Sequence, residues 1–193
     1  METIAFFDEY SYRLLTWDEL RPLFEMHRTK SFSHNMYFNV VGALSESERE
    51  ASQLLSKNTG NLFRLNVGIY YQNEFVGWHF GGQESNEKYY MRNTALFPEH
   101  RGKGVYSALL PHILSIIEKK GFQIIYSRHH ATNNAVIVPK LKAGFIITGF
   151  EITDQFGTLV HLSYYFNPLR RKAMLFRTGE EVPDEETLGL INF

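Results

Sequence analysis

The stretch EHRGKGVYSALLPHILSIIEKKGF, Glu99 to Phe122, constrains the fold more than any other part of the chain. A basic, glycine-rich loop opens directly into an apolar periodic run. Before it, KYYMRNTALF reads as a strand stopped at Pro98, which has no amide hydrogen to give to a sheet. From Val105 onward, Leu109, Ile113 and Ile116 recur at helical spacing, Leu110, Leu114 and Ile117 widen the stripe, and Gly121 suits the C-terminal cap. Pro111 interrupts this run, and an interior proline costs about 3 kcal/mol, so a kink or a late helix start is expected. FQIIYSRHH then reads as another strand. Strand, loop, helix and strand make one crossover unit, which is right-handed and sets its two strands parallel.

The rest of the chain adds elements around this unit. TWDELRPLFEMHR reads as a helix capped by Thr16, with Leu20, Leu23, Phe24 and Met26 toward one face. In SESEREASQLLSK, Ser45 and Glu48 have capping-box spacing. LFRLNVGIYYQNEFVGWHFGG is a hairpin turning at Gln72, Asn73 and Glu74. NNAVIVPKLKAGF reads as a short helix, and FIITGFEITDQFGTLVHLSYYF as a final hairpin turning near Asp154 to Gly157. The class is α/β, with a mixed and mostly antiparallel sheet. A chain of 193 residues that is 44% hydrophobic can bury one substantial core, so a single domain over residues 1–166 is expected. Composition shifts only in RRKAMLFRTGEEVPDEETLG, which marks residues 167–193 as a C-terminal extension.

The formal net charge of −1 offers no sequence-independent grip on nucleic acid or an anionic membrane. Cysteine is absent, which removes disulfides, thiolate metal clusters and a cysteine nucleophile together. The start METIAFFDEYSYRLL has neither the basic onset nor the sustained apolar run of a signal peptide or membrane span, so a cytoplasmic protein is the expectation. No histidine has metal-ligand spacing, and no metal is expected.

In EHRGKGVY, the glycines let the backbone approach a ligand, and the amides that open the next helix are unpaired donors at the positive end of its dipole. Arg101 and Lys103 add local positive charge, and a pyrophosphate fits. Taken alone, such a loop is equally often turn chemistry. A Walker loop is ruled out because Val105, not Lys and then Ser or Thr, follows Gly104. A dinucleotide fingerprint fits poorly, since no acid ends the next strand, Tyr126 to His130.

These residues resemble the GNAT superfamily of N-acetyltransferases, whose (Arg/Gln)-x-x-Gly-x-(Gly/Ala) loop binds acetyl-coenzyme A. Glu99 to Gly104 aligns with that loop, with Gly102 and Gly104 in place and Glu99 where Arg or Gln is usual. A second signature, an Asn opening a short helix that ends in Gly-Phe, matches Asn133, Gly144 and Phe145. The resemblance spans roughly Tyr70 to Phe166. It implies helices on both faces of the sheet and a V-shaped splay between the two parallel strands, into which pantetheine lies like an extra strand. It implies that Thr94, Ala95 and Leu96 pair with pantetheine, and that Arg101, Gly102, Lys103, Gly104, Val105 and Tyr106 cradle pyrophosphate. Asn133 would touch the pantetheine arm, and the Leu96 main-chain amide would polarise the thioester carbonyl.

Acetyl-CoA is thus the expected cosubstrate, and a primary amine of a small molecule or peptide the expected acceptor. The family's usual base, a Glu, aligns with Met91, and its usual acid, a Tyr, aligns with Lys140. Positioning alone can contribute about 7 to 11 kcal/mol, so catalysis survives these absences. His129 and His130, at the end of the strand bordering the cleft, and nearby Tyr126 are the replacement candidates for proton transfer. Adjacent strand residues face opposite sides, so at most one histidine is expected to enter the cleft. His79 reads as a packed sheet residue, and Lys140 and Lys142 as solvated lysines within reach of the nucleotide phosphates. Loss of the usual base and acid also fits a non-catalytic acyl-CoA sensor, and a plain interaction scaffold is the third reading. Phe176, Leu188, Leu190, Ile191 and Phe193 suggest that the extension docks on the domain or on a second subunit, as in a homodimer.

Overall fold

The computed structural model describes residues 2–32 and 39–189. Two strands that the sequence reading passes over come first: β1 (Ile4–Phe7) and β2 (Tyr10–Leu14), a hairpin turning where Asp8 takes a left-handed φ of 42°. The alternation in YSYRL is its signal, since Tyr10 and Tyr12 are buried while Ser11 and Arg13 are less so.

Helix α1 (Trp17–Ser31) starts with the expected cap: Thr16 Oγ1 accepts from the Glu19 amide, and the Glu19 carboxylate accepts from the Thr16 amide at 2.8 Å. Leu20 is buried, and Phe24 packs edge-on against Trp78 and Phe80. Met26 is 71% exposed instead of facing the core, because two residues along a helix turn it away from Phe24. After α2 (Val40–Ala43), α3 (Glu46–Ser56) carries the capping box of Ser45 and Glu48.

β3 (Arg64–Tyr71) and β4 (Glu74–Gln83) form the expected hairpin, with Gln72 and Asn73 both at positive φ as its two-residue turn requires. β5 (Lys88–Leu96) leads through the glycine loop into α4 (Val105–Lys119). The expected late start does not occur: α4 begins at Val105 and runs through Pro111. Pro111 and Ser107, whose carbonyl loses its helix donor, are both exposed, so water can serve it. Then follow β6 (Ile124–His130), α5 (Asn134–Lys142), β7 (Ile146–Thr153), β8 (Gly157–Tyr165), α6 (Pro168–Arg177) and α7 (Glu185–Leu188).

The eight strands make one sheet in the order β1-β2-β3-β4-β5-β6-β8-β7, and only β5 and β6 are parallel. That pair is brief, running from Lys88 opposite Ile124 to Tyr90 opposite Tyr126. Beyond it, β5 stays with β4 as far as Leu96, and β6 stays with β8 as far as His130. The two strands therefore part at Met91 and Ser127, which is the expected splay. Register places Tyr12, Ile69, His79 and Thr94 on one face. That face meets α4 through His112, which packs on Tyr12, and α5 through Lys140, which reaches Met91. Trp78 and Phe80 belong to the other face, under α1.

Beyond β8, Arg171 donates to the Gly144 carbonyl, and Arg170 pairs with Glu87 at 2.8 Å, so α6 is held to the turn after α5 and to the connection between β4 and β5. Lys172 ties α6 to α7 through Asp184 at 2.7 Å. Phe176 is half-buried and Leu188 exposed, while Leu190, Ile191 and Phe193 lie outside the described residues. Among the described residues no helix is long and apolar enough to cross a membrane.

Candidate active site

The glycine loop turns twice through left-handed backbone, at Gly102 (φ 71°) and Gly104 (φ 83°). A Cβ at Gly102 would meet nothing, so it is the turn and not space that calls for glycine there. The second turn aims the following amides outward. Among the described residues, the N–H groups from Gly102 to Ser107 have no acceptor in the protein; the first bond runs from the Ala108 amide to the Gly104 carbonyl at 3.0 Å, and no side chain caps α4. This leaves a row of donors at the positive end of a fifteen-residue helix, which suits an anion.

The charged residues around the loop divide their work. Arg101 donates from Nε to the Leu96 carbonyl at 2.8 Å and from Nη2 to the Ser31 carbonyl at 2.9 Å, so it braces the loop against β5 and the end of α1. Lys103 is exposed. Glu99, standing where the resembled loop usually has Arg or Gln, pairs with Lys30 at 3.0 Å.

Behind the loop, the splay opens into a cleft of about 500 Å³ lined by Thr94, Tyr106, His129, His130, Asn133 and Lys140, among others. The Phe97 amide donates to Val76 of β4. Backbone groups alternate along an antiparallel strand, so the amides of Leu96 and Thr94 turn the other way, toward the opening, while that of Ala95 turns to β4. Val105 is buried beneath the helix start. Asn133 holds the N-cap position of α5 without using its side chain as a cap, which leaves the amide group to the cleft.

The histidines divide by strand parity. His129 is on the α4 and α5 face, where its Nε2 is 2.9 Å from Ser127 Oγ; burial, then the charge of Lys140, push its pKa down to about 3. His130 is on the opposite face, yet it also lines the cleft. The expectation that only one would do so is corrected because β6 has lost its β5 neighbour here, and both of its faces reach the opening. Tyr126 is not brought to this cleft. It stacks on Tyr90 at 4.9 Å, donates to the Glu84 carboxylate, and lines a separate cavity with Arg128, Glu151 and His161. Burial and the bond to Glu84 raise its pKa. His79 is the packed residue expected, held by Thr94 Oγ1 at 2.7 Å and the Tyr89 hydroxyl at 3.2 Å.

Lys140 overturns its sequence reading. It is 1% exposed, with Nζ 2.5 Å from Ser127 Oγ and 3.3 Å from Met91 Sδ, and burial lowers its pKa to about 7. The spacing of Asn133, Ile137 and Lys140 along one side of α5 was the available signal, since Ile137 is buried as well. Lys142 is exposed. Among the described residues no group of three or more His, Asp or Glu side chains could hold a metal ion.

The family model for the acetyltransferase (GNAT) family matches residues 17–145, which contain the loop, the splay and the Asn133 helix. The chain belongs to the GNAT acetyltransferase family. It is accordingly an acyltransferase with acetyl-CoA as its cosubstrate. Solved GNAT structures share the fold at low identity. A ribosomal L7/L12 α-N-protein acetyltransferase in complex with coenzyme A is 14% identical, with 85% of this chain and 98% of that one covered at a TM-score of 0.60. The ribosomal-protein-S18-alanine N-acetyltransferase from Escherichia coli is 16% identical, with 82% and 94% covered at 0.59. A GNAT family acetyltransferase from Elizabethkingia anophelis with acetyl-CoA bound is 13% identical, with 83% and 100% covered at 0.55. No curated protein matches the sequence.

Proposed function

We propose that this GNAT protein passes an acetyl group from acetyl-CoA directly to a primary amine on a small molecule or peptide. The observation that carries the reading is the row of uncommitted amides from Gly102 to Ser107, which follows the end of β5 at the open side of the splay from β6. In this reading those amides grip the pyrophosphate, and the pantetheine arm follows the exposed edge of β5. The Leu96 amide faces the thioester carbonyl, where it steadies the charge that develops on oxygen as the amine attacks. Asn133 holds the arm from the other side. Two proteins of this fold are named as acetyltransferases of ribosomal proteins, the L7/L12 α-N-protein acetyltransferase and the S18-alanine N-acetyltransferase, which supports a peptide amine among the acceptors.

Titration calorimetry with acetyl-CoA, followed by thiol release across a library of amines and N-terminal peptides, tests the proposal. Binding with amine-dependent release is expected. Absence of binding would overturn the cleft assignment, and binding with no release from any amine would overturn the transfer.

A further inference from the structure

Among the described residues, no Asp or Glu lines the cleft. The sequence from Ser33 to Phe38, next to Phe32 of the cleft, contains no acid either. Three cations do line it: Arg92, Arg128 and Lys140. Lys140 is buried on the α5 side, whereas Arg92 and Arg128 stand beside Tyr90. The Arg92 guanidinium lies 5.6 Å from the centre of the Tyr90 ring and that of Arg128 4.9 Å, so one ring gathers both charges. They are unequally committed. Arg128 gives Nη1 to both oxygens of Glu151, at 2.9 and 3.2 Å, and Nε to the Tyr90 hydroxyl, while its Nη2 has no acceptor among the described residues. Arg92 is exposed and, among the described residues, its side chain has no hydrogen bond or ion pair. The acids of the neighbouring cavity are engaged: Glu84 accepts from Tyr126, and Glu151 holds Arg128 and His161. The mouth of the cleft therefore keeps positive charge that no carboxylate of the chain balances. The coenzyme A phosphates do not call for it there, because the amides that suit them lie past the far end of β5.

Resting on the transfer reading above, we propose that the acceptor is the N-terminal amine of an acidic peptide, whose Asp or Glu at the fourth or fifth residue pairs with Arg92 and Arg128. The distance sets the position of the acid. Arg92 precedes Leu96 by four residues on β5, about 13 Å of extended strand, and the thioester faces the Leu96 amide in the transfer reading. A free amino acid with its amine at the thioester cannot span that gap. An extended peptide can, and its fourth or fifth residue arrives at the two guanidiniums. Pantetheine takes the edge of β5, and α4 and α5 close one face of the sheet, so the peptide crosses the face that carries Tyr90 and Arg128. A carboxylate there gains charge-assisted bonds from Arg92 and from Nη2 of Arg128. A lysine at the same place meets like charges with no acid to offset them, so the site also selects against basic peptides.

The test measures kcat/KM for thiol release by the full chain, with acetyl-CoA saturating, on synthetic peptides that share a neutral N-terminal tripeptide and carry Glu, Gln or Lys at both the fourth and the fifth residue. Free glutamate and a set of small amines are run beside them. Wild type is expected to prefer the Glu peptide to the Gln peptide about tenfold and to the Lys peptide by more, and added salt should shrink the preference. Arg92→Glu is expected to invert the order and make the Lys peptide the best of the three, which damage to the fold alone cannot do. Equal use of the three peptides by wild type, or a preference for Lys, overturns the proposal even if the variant does not fold. So does thiol release with small amines and none with any peptide, and so does an active Arg92→Glu that keeps the wild-type order. Each of these leaves the transfer reading intact. Absence of thiol release from every amine and peptide overturns both.

Discussion

The side chain of Arg101 reaches back five residues and donates to the main-chain carbonyl of Leu96 at 2.8 Å. The same guanidinium donates to Ser31 at the end of α1, so one side chain fixes both the glycine loop and the last residue of β5. In the proposed reading that residue's amide faces the thioester, which makes Arg101 an organiser of the site as well as a charge near the phosphates. Arg101→Ala is expected to weaken acetyl-CoA binding about tenfold and to lower stability by about 1–3 kcal/mol. Arg101→Lys restores the charge but cannot span both carbonyls, so calorimetry should find it nearly as weak as alanine. Wild-type affinity in Arg101→Lys would show that the brace is irrelevant.

Gly104 sits at φ 83°, and a Cβ added there would meet only the Phe7 ring, 3.7 Å away. Gly104→Ala therefore costs backbone strain and little crowding, about 1–2 kcal/mol. If the chain relieves this strain by rotating the loop, the amides swing off their common target and affinity for acetyl-CoA falls with stability. Asn tolerates the left-handed region better, so Gly104→Asn should lie between glycine and alanine in both thermal denaturation and calorimetry. Equal affinity in all three would mean that the turn does not aim the amides.

Local chemistry made much of this fold legible. Gln72 and Asn73, Thr16 with Glu19, and the Gly102 to Gly104 loop each carry a conformation that few other sequences favour, and each stands where the reading put it. The helix stripe from Leu109 to Ile117 was equally plain. What escaped was decided by contacts distant in sequence. The spacing of Asn133, Ile137 and Lys140 marks Lys140 as facing inward, but not which residues enclose its amine, since Met91 and Ser127 lie 49 and 13 residues away. Tyr126 and His129 sit three apart on one strand, so alternation alone sets them on opposite faces; what the sequence does not show is that β5 and β6 stay paired as far as Tyr90 opposite Tyr126, which leaves the opening to the residues beyond. The β1–β2 hairpin is weakly marked in the sequence because each strand is short, and its tyrosines gain their burial from β3 and α4.

Burial holds the pKa values of His79 and His129 at about 3, below the ordinary 6.5. Both are neutral when folded, so the unfolded chain binds more protons as pH falls below 6.5. Their contribution is present above that value and is lost progressively toward pH 3. Chemical denaturation should show stability falling across this window, with a shallower slope in His129→Gln. An unchanged slope would mean that His129 protonates freely in the folded protein.

Lys140 has the opposite charge balance and a different window. Its folded pKa of about 7 lies below the ordinary 10.5, so between these values the unfolded chain binds a proton that the folded one does not. Stability therefore falls as pH drops from 10.5 toward 7, and the full penalty persists below pH 7, where the folded protein carries a buried ammonium. Lys140→Met removes the penalty with a side chain of similar reach, at the expense of one hydrogen bond to Ser127. The variant is expected to exceed wild type by a few kcal/mol at pH 6 to 7, and the gap should close as pH approaches 10. Paired denaturation curves at several pH values measure that gap directly. A gap that stays constant with pH would place the lysine charge in contact with water, and would remove the buried ammonium from the account of the cleft.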